Sequence, residues 1–376
     1  MHNHDKPQIL FDVRESYRNA TGIGSVVRNL GRNLAKQPTY SCIPEDFLSK
    51  PASRSINRSV LAMAGNLLKN LFWKQVYLPI KMLTTGSEIL LSGDAIGPLL
   101  APGKVVLIVY DLIFFRYPEH VNRRWGKYWR IMLPLCLKRA DWVIAISDAT
   151  RRDLVAILKF DPKRVTVATL GYDKDLFRPT TDISIKEGLR QKYQLPDDFI
   201  LFVGGIEPRR NIETLLRAVG KVRSTRGIKL NIVIVGAKTG HATRLDSIFH
   251  ESGIEEQISW LGYVPAADLP VLYSLARVYV YPSLAKGFGL TVLEAMACGC
   301  AVICSNVDSL PEVAGDACIL LPPLDADAFA DAIYRVCSDR ALTGEMQEKG
   351  LIQANSFSWE QMAEVVTSVC EALRCE

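Results

Sequence analysis

Residues 281–302 (YPSLAKGFGLTVLEAMACGCAV) hold the residue types best suited to chemistry in this 376-residue chain. Gly287 and Gly289 stand between an apolar run ending at Tyr281 and a helix-forming run that opens with Leu290 and Thr291. Glycines let a backbone approach a ligand closely. A helix start presents unpaired N–H groups and a partial positive charge, which suits phosphate. Glu294 falls one turn into that helix, where a carboxylate can bind a ribose diol with two hydrogen bonds. From spacing alone the stretch equally describes a turn and an amphipathic helix with a surface Glu. A second stretch, 202–216 (FVGGIEPRRNIETLL), sets Arg209 and Arg210 after Pro208 in a loop between strand and helix. Loops at the carboxyl ends of parallel strands are where α/β sheets bind ligands. Arginine suits phosphate because its planar fork gives paired, always-charged donors. Taken alone, the two arginines also read as a solvated pair, one of them neutralised by Glu207. Together the two stretches fit a nucleoside diphosphate. The chain contains no G-x-x-x-x-G-K-[ST] and no full G-x-G-x-x-G, which disfavours a P-loop and NAD.

The elements that must position these residues read as two β/α arrays. In the first half, apolar runs at 8–13, 104–110, 141–147 and 164–168 are expected strands, with helices over 25–36 and 148–159. Such runs lack alternation and are separated by helices, the pattern of a parallel sheet covered on both faces. After a polar stretch at 179–197 the pattern restarts. Strands are expected at 199–203, 230–235, 257–261, 278–281, 301–304 and 317–320, helices at 211–223 and 290–297, and mainly helix over 324–376. The fold class is α/β, with two Rossmann-like domains and a cleft between them.

Composition fits this reading. Hydrophobic residues make up 48% and charged residues 23%, ordinary for a globular chain and not for a disordered or collagenous one. No uncharged apolar run has the length of a spanning helix, and the first residues show no secretory signal. Nine cysteines are too few for a disulfide scaffold, which points to a reducing, cytoplasmic compartment. The net charge of +5 conceals an asymmetry: residues 1–178 carry +12 and residues 179–376 carry −7. A basic half joined to an acidic half suggests two domains with different partners.

These motifs, in this order, resemble the retaining, GT-B-fold glycosyltransferases of family 4, and within it bacterial mannosyltransferases of surface polysaccharide synthesis. The resemblance covers nearly the whole chain and is strongest over 199–322, with further matching segments at TGIG (21–24), VYDLIFFRYPE (109–119) and AISDATRRDL (145–154). It implies an acceptor-binding domain over 1–178, a donor-binding domain over 179–356, and a final helix over 357–376 that crosses back to the first domain. Arg210 would meet the donor diphosphate with Arg209 beside it. Gly287 and the amides of Phe288, Gly289, Leu290 and Thr291 would line the sugar and diphosphate, and Glu294 would hold the ribose as the second Glu of an E-x7-E signature. Gly22 and Gly24 match a glycine loop near the phosphates and acceptor, and Asp111 matches the Asp of a His-Asp pair beside the donor sugar.

Three positions depart from the family pattern. Lys286 stands where the first Glu of E-x7-E would be. Tyr110 replaces the His of the His-Asp pair, and a phenol titrates far above an imidazole. Thr291 stands where the family often has Pro. Lys286 and Tyr110 keep open a catalytically silent binding protein, and the shared architecture keeps open a sugar-nucleotide epimerase. The expected activity is a hexosyl transfer from a nucleotide sugar, GDP-mannose above others, to a glycan or lipid-linked acceptor, with no cofactor and no metal.

Asp173-Lys-Asp175 and Asp325-Ala-Asp327 each read D-x-D but do not follow strands as a metal-nucleotide site requires. Cys298, Cys300 and Cys304 lack the His or second Cys pair of a zinc spacing and read as buried small hydrophobes. Two basic stretches, 54–81 and 122–139, mix Lys and Arg with Leu, Phe and Trp. Each alone reads as an amphipathic helix on its own core. Basic helices with Trp and Leu also suit a membrane surface, so peripheral contact with the inner face of the cell membrane is open. No nucleic-acid-binding module accompanies the charge.

Overall fold

Runs of apolar residues without alternation become two all-parallel sheets. The computed structural model describes residues 8–18, 22–43, 60–121, 123–237 and 251–375, with Leu245 and Ile248. Thr21, Arg54, Arg58, Asn122 and the N-terminal His2 and His4 lie outside the described residues. The chain divides into two units, 1–171 with 358–376, and 172–357. The change of unit falls seven residues before the division expected from charge. Asp173 accounts for part of that shift: its carboxylate accepts from the amides of Asp175 and Leu176, and the Phe177 amide donates to the Asp173 carbonyl, so the turn folds with the second unit.

The first unit contains β1 (Ile9–Asp12), β2 (Tyr40–Ile43), β3 (Ile89–Ser92), β4 (Lys104–Val109), β5 (Trp142–Ala145) and β6 (Val165–Val167), in the order β2-β1-β3-β4-β5-β6. Strands β2 and β3 were not anticipated. Strand β2 carries a Ser in its middle and does not read as an apolar run, whereas the Ile89–Leu91 run of β3 is as long as the Ile9–Phe11 run of β1 and was readable. The chain leaves β1 toward β2 on one side and returns to pair β3 with β1 on the other, which puts the reversal of strand order between β1 and β3.

At the carboxyl ends of those two strands lies a buried ion cluster. Lys74 Nζ donates to Asp12 Oδ2 at 2.6 Å, Asp94 Oδ1 at 2.8 Å and Ser92 Oγ at 3.0 Å, and Trp73 Nε1 donates to Asp12 Oδ1 at 3.1 Å. Burial pulls the Lys74 ammonium down, but Asp12 and Asp94 outweigh it and hold its pKa above the ordinary value. Lys74 sits in a π-helical turn (Trp73–Tyr77) between helices Val60–Phe72 and Leu78–Thr85. Pro79 has no N–H to give back to that turn, and π turns are a usual way to absorb such a loss.

The last helix, Trp359–Cys375, belongs to the first unit. Its buried face (Trp359, Met362, Ala363, Val366) packs with helix Ile23–Leu34, while Tyr40 Oη donates to Thr367 Oγ1 at 3.2 Å, Lys104 Nζ donates to the Leu373 carbonyl at 2.7 Å and Arg374 pairs with Glu88 at 3.1 Å. A Cβ on Gly171 would lie 2.2 Å from the Trp359 amide nitrogen, so only glycine lets the outgoing and returning chains pass here.

The second unit contains β7 (Phe199–Val203), β8 (Asn231–Val235), β9 (Ile258–Gly262), β10 (Val278–Tyr281), β11 (Val302–Ser305) and β12 (Ile319–Leu321), ordered β12-β11-β10-β7-β8-β9. This is the dinucleotide-fold order, with the reversal between β7 and β10. All six expected strands are present, with ends shifted by a residue or two. Helices Ile212–Arg226, Leu290–Ala297, Ala326–Ser338 and Arg340–Asn355 occupy the stretches expected to be helical.

Candidate functional site

The two sequence stretches singled out for chemistry leave β7 and β10, the strands that flank the reversal in the second sheet. Adjacent connections run to opposite faces there and open a crevice at the carboxyl ends. After β7, Pro208–Arg210 forms a 3-10 turn and Asn211 takes a left-handed conformation (φ 52°) that turns the chain into helix Ile212–Arg226. Asn tolerates this region better than most side chains.

Asn211 also locks two neighbouring loops. Its Nδ2 donates to the Pro282 carbonyl at 2.8 Å and the Pro323 carbonyl at 2.6 Å, and its Oδ1 accepts from Thr214 Oγ1 at 3.1 Å. The loop after β10 is tied to the same turn: the Leu284 amide donates to the Arg209 carbonyl at 2.8 Å and Ser283 Oγ donates to it at 3.0 Å. The loop after β11 closes the third side. Asp308 Oδ2 accepts from the Lys286 amide at 2.9 Å, and Ser309 Oγ lies 2.9 Å from the Lys286 carbonyl and 2.6 Å from the Phe288 carbonyl. Asn211, Ser283, Asp308 and Ser309 were not singled out from sequence. The one available signal was Asn211, an Asn set between two arginines and the first residue of a helix.

Within this frame the predicted residues come together. Arg209 Nε donates to Glu207 Oε2 at 2.7 Å near the surface. Arg210 points inward, and its guanidinium lies 5.6 Å from the Tyr281 ring. Its Nε and Nη1 are shut off from solvent and have no hydrogen-bond partner among the described residues. Burial, with Arg209 next, lowers its pKa to about 10. Lys286 Nζ lies 5.7 Å from the same Tyr281 ring, so two cations stand near one aromatic ring.

Gly289 has φ 132° and caps helix Leu290–Ala297 with no side chain to satisfy the helix amides. A Cβ there would stand 3.0 Å from Leu310 Cδ2 in a backbone region closed to other residues. Phe288 is buried edge-on against Phe357, with ring centroids 5.8 Å apart, which anchors the loop. The Thr291 hydroxyl lies by the Tyr279 phenol but outside hydrogen-bond geometry, and it too is buried without a partner. Burial raises the Glu294 carboxyl to about 8, while Lys286 pulls it back in part.

Buried donors left without acceptors cost free energy, and native structures rarely keep them. Here Arg210 and Thr291 both lie by the Tyr279 phenol, and Thr291 is in the first turn of its helix. The arrangement suits an anion at Arg210, Thr291 and the first helix amides, with hydroxyl donors reaching Glu294 one turn away. That is the chemistry of a nucleotide diphosphate and its ribose.

The remaining predicted residues belong to the first unit. Gly22 (φ 61°) caps helix Ile23–Leu34, and Gly24 is buried in its first turn. Asp111 Oδ1 accepts from the Ile113 amide at 3.1 Å. Tyr110 is buried, its hydroxyl donates to the Gly93 carbonyl at 2.9 Å, and burial raises its pKa well above the ordinary value. The phenol is thus already engaged in packing β4 against the loop after β3.

The discounted motifs have structural roles. Asp325 caps helix Ala326–Ser338 through the Ala328 amide, and Asp327 pairs with Lys221. Cys298, Cys300 and Cys304 are buried, and burial pushes the Cys300 thiol up to about 12. Among the described residues no group of three His, Cys, Asp or Glu is gathered as a metal ion would need.

Two family models match the chain: Glycosyltransferase Family 4 over residues 20–176 and Glycosyl transferases group 1 over residues 186–353. The O-antigen chain mannosyltransferase B of Escherichia coli is 34% identical over 258 residues, covering 68% of this chain and 67% of that protein. The chain belongs to this family of glycosyltransferases. The serotype-specific mannosyltransferase WbdA of Escherichia coli is 30% identical over 268 residues; the match takes in 70% of this chain and 32% of WbdA, so the chain spans about a third of that protein. Sucrose-phosphate synthase from Thermosynechococcus elongatus superposes with TM-score 0.76 at 21% identity, covering 98% of this chain and 99% of that one. Anabaena HepE, solved in complex with UDP and glucose, superposes with TM-score 0.74 at 18% identity over 97% of this chain and 99% of HepE. At these identities the likeness shows the fold: this glycosyltransferase has the GT-B architecture.

Proposed function

We propose that this glycosyltransferase moves a hexosyl group, mannose in the first instance, from GDP-mannose to a glycan or lipid-linked acceptor in building a cell-surface polysaccharide, with retention at the anomeric carbon and without a metal ion. The observation that carries the donor half is the Arg210 guanidinium, buried with Nε and Nη1 unpaired and facing the Tyr281 ring, the residue from which the loop to Gly289 departs. In the transfer the bond from the anomeric carbon to the diphosphate oxygen breaks, an acceptor hydroxyl oxygen bonds to that carbon on the same face and gives up its proton, and the leaving diphosphate gains negative charge. In this reading Arg210 and the amides of Leu290 and Thr291, with Arg209 beside them, stabilise that charge without reorganising, the role a metal ion takes elsewhere. The sugar passes through an oxocarbenium-like state, as in glycoside hydrolysis. Lys286 adds a cation on the Tyr281 ring beside Arg210. The mannose assignment rests on the mannosyltransferase names of the two Escherichia coli relatives.

The test is incubation of the protein with a panel of nucleotide sugars, followed by product analysis. Release of GDP from GDP-mannose, lost in Glu294→Ala, supports the reading. Calorimetric binding without release or transfer to any acceptor indicates a silent binding protein, and an epimerised nucleotide sugar indicates an epimerase. Turnover unchanged in Glu294→Ala removes the site assignment.

A further inference from the structure

The second sheet has a cavity at its other end. Phe199 opens β7, Leu230 leads into β8 and Arg277 precedes β10. With Tyr334 and Cys337 from the end of helix Ala326–Ser338, these residues line a space of about 280 Å³. The five residues of β7, about 15 Å of extended chain, separate this space from the loop that carries Arg210. It lies wholly within the second unit.

Arg277 is the group in this space whose bonding is incomplete. Its amide donates to the Phe199 carbonyl at 2.9 Å, which fixes its backbone to the sheet. Its Nη2 donates to the Cys337 carbonyl at 3.0 Å, an ordinary arginine contact with the end of a helix. That contact uses one of the five N–H groups of a guanidinium. Nε is shut off from solvent with no partner among the described residues. Nη1 also makes no hydrogen bond among them but is not shut off, so it is the donor that a ligand in the cavity can reach. A role in ending the helix leaves both of these atoms unexplained.

Charge says what the cavity takes. Lys229 lines it and is exposed, and among the described residues no carboxylate pairs with Arg277 or Lys229. The lining contains one carboxylate, the exposed Asp198, so two cations face one anion in a half of the chain whose total is acidic. Burial raises the Cys337 thiol to about 11, although Arg277 pulls it back in part, so the thiol adds no negative charge. Arg226 lies 3.9 Å from the Tyr334 ring and pairs with Asp331, which holds that aromatic wall in place. An open guanidinium edge suits the oxygens of phosphate. The aliphatic and aromatic walls suit a small organic body attached to it. The volume is at the low end for small-molecule sites, which favours a phosphate monoester of a few carbons over a nucleoside diphosphate.

We propose that this cavity at the amino ends of β7, β8 and β10 is a second ligand site of the second unit, taking a small phosphate monoester on Arg277 with Lys229 beside it. The inference does not depend on the nucleotide site. The experiment is calorimetric titration of the full chain with inorganic phosphate and with glycerol phosphate, against sodium chloride at matched ionic strength. It is run in wild type and in Arg210→Met, which silences phosphate binding at the nucleotide site. One saturable site is expected to remain in Arg210→Met, at roughly millimolar affinity. Adding Arg277→Met should weaken that site at least about tenfold, the loss of a charged hydrogen bond. Lys229→Gln should weaken it about threefold. Lys229 is exposed, so its variant should melt as wild type and stays informative if Arg277→Met does not fold. No saturable binding beyond the salt control in Arg210→Met would overturn the proposal and leave Arg277 as a helix contact only. So would Arg277→Met or Lys229→Gln proteins that bind as tightly as their parent.

Discussion

Glu294 is a carboxylate held where ionisation is unfavourable, with its pKa raised to about 8 by burial against about 4.3 in an unfolded chain. Because the folded value is the higher one, Glu294 favours folding at low pH, and that contribution is lost as pH rises from about 4 through 8. A ribose donating to the ionised carboxylate reverses the preference. Nucleotide affinity should therefore rise between about pH 6.5 and 8.5, with a proton released on binding. Calorimetry in buffers of different ionisation enthalpy measures this, and Glu294→Gln should flatten the profile. Gly287, Gly289, Arg210 and Glu294 were all legible in the sequence because Gly, Arg and a one-turn spacing carry their chemistry in their types. Tyr110 was legible only as a departure from a pattern. That its hydroxyl is taken up by the Gly93 carbonyl is a tertiary fact, set by a contact 17 residues away.

The loops after β7, β10 and β11 act as one element because Asn211, Ser283, Asp308 and Ser309 bond across them. Asn211→Ala removes both donors to the Pro282 and Pro323 carbonyls and leaves a non-glycine residue at φ 52°. The expected loss is about 2–3 kcal/mol of stability in urea or thermal unfolding, together with weaker nucleotide binding because the β10 loop is no longer fixed to the Arg209 turn. The same contacts show where sequence reading stops. Strands β7 and β10 were readable as apolar runs, but their being neighbours was not, since β8 and β9 lie between them in the chain. The short β2, and the π turn that carries Lys74 to Asp12 and Asp94, were unreadable for a related reason. A strand broken by a serine and an inward-facing lysine contradict local pattern and are settled by packing.

The final helix leaves the second unit to complete the first. A chain ending at Phe357 would expose the Ile23–Leu34 helix and lose the Tyr40, Lys104 and Glu88 contacts. Such a protein should lose the unfolding transition of the first unit in calorimetry while keeping that of the second. The change of unit at residue 172 lies seven residues before the division drawn from charge, and the crossing back was implied by family resemblance alone. The acidic balance of the second half says little about its ligand, because Arg210 and a helix start create a local field opposite to the total. The most direct test of that local field is calorimetric titration of wild type and Arg210→Met with GDP-mannose, alongside their thermal melting. Removing a buried, unpaired cation should leave the ligand-free melting temperature equal or higher and weaken binding about a hundredfold. An Arg210→Met protein that binds GDP-mannose as tightly as wild type would contradict it.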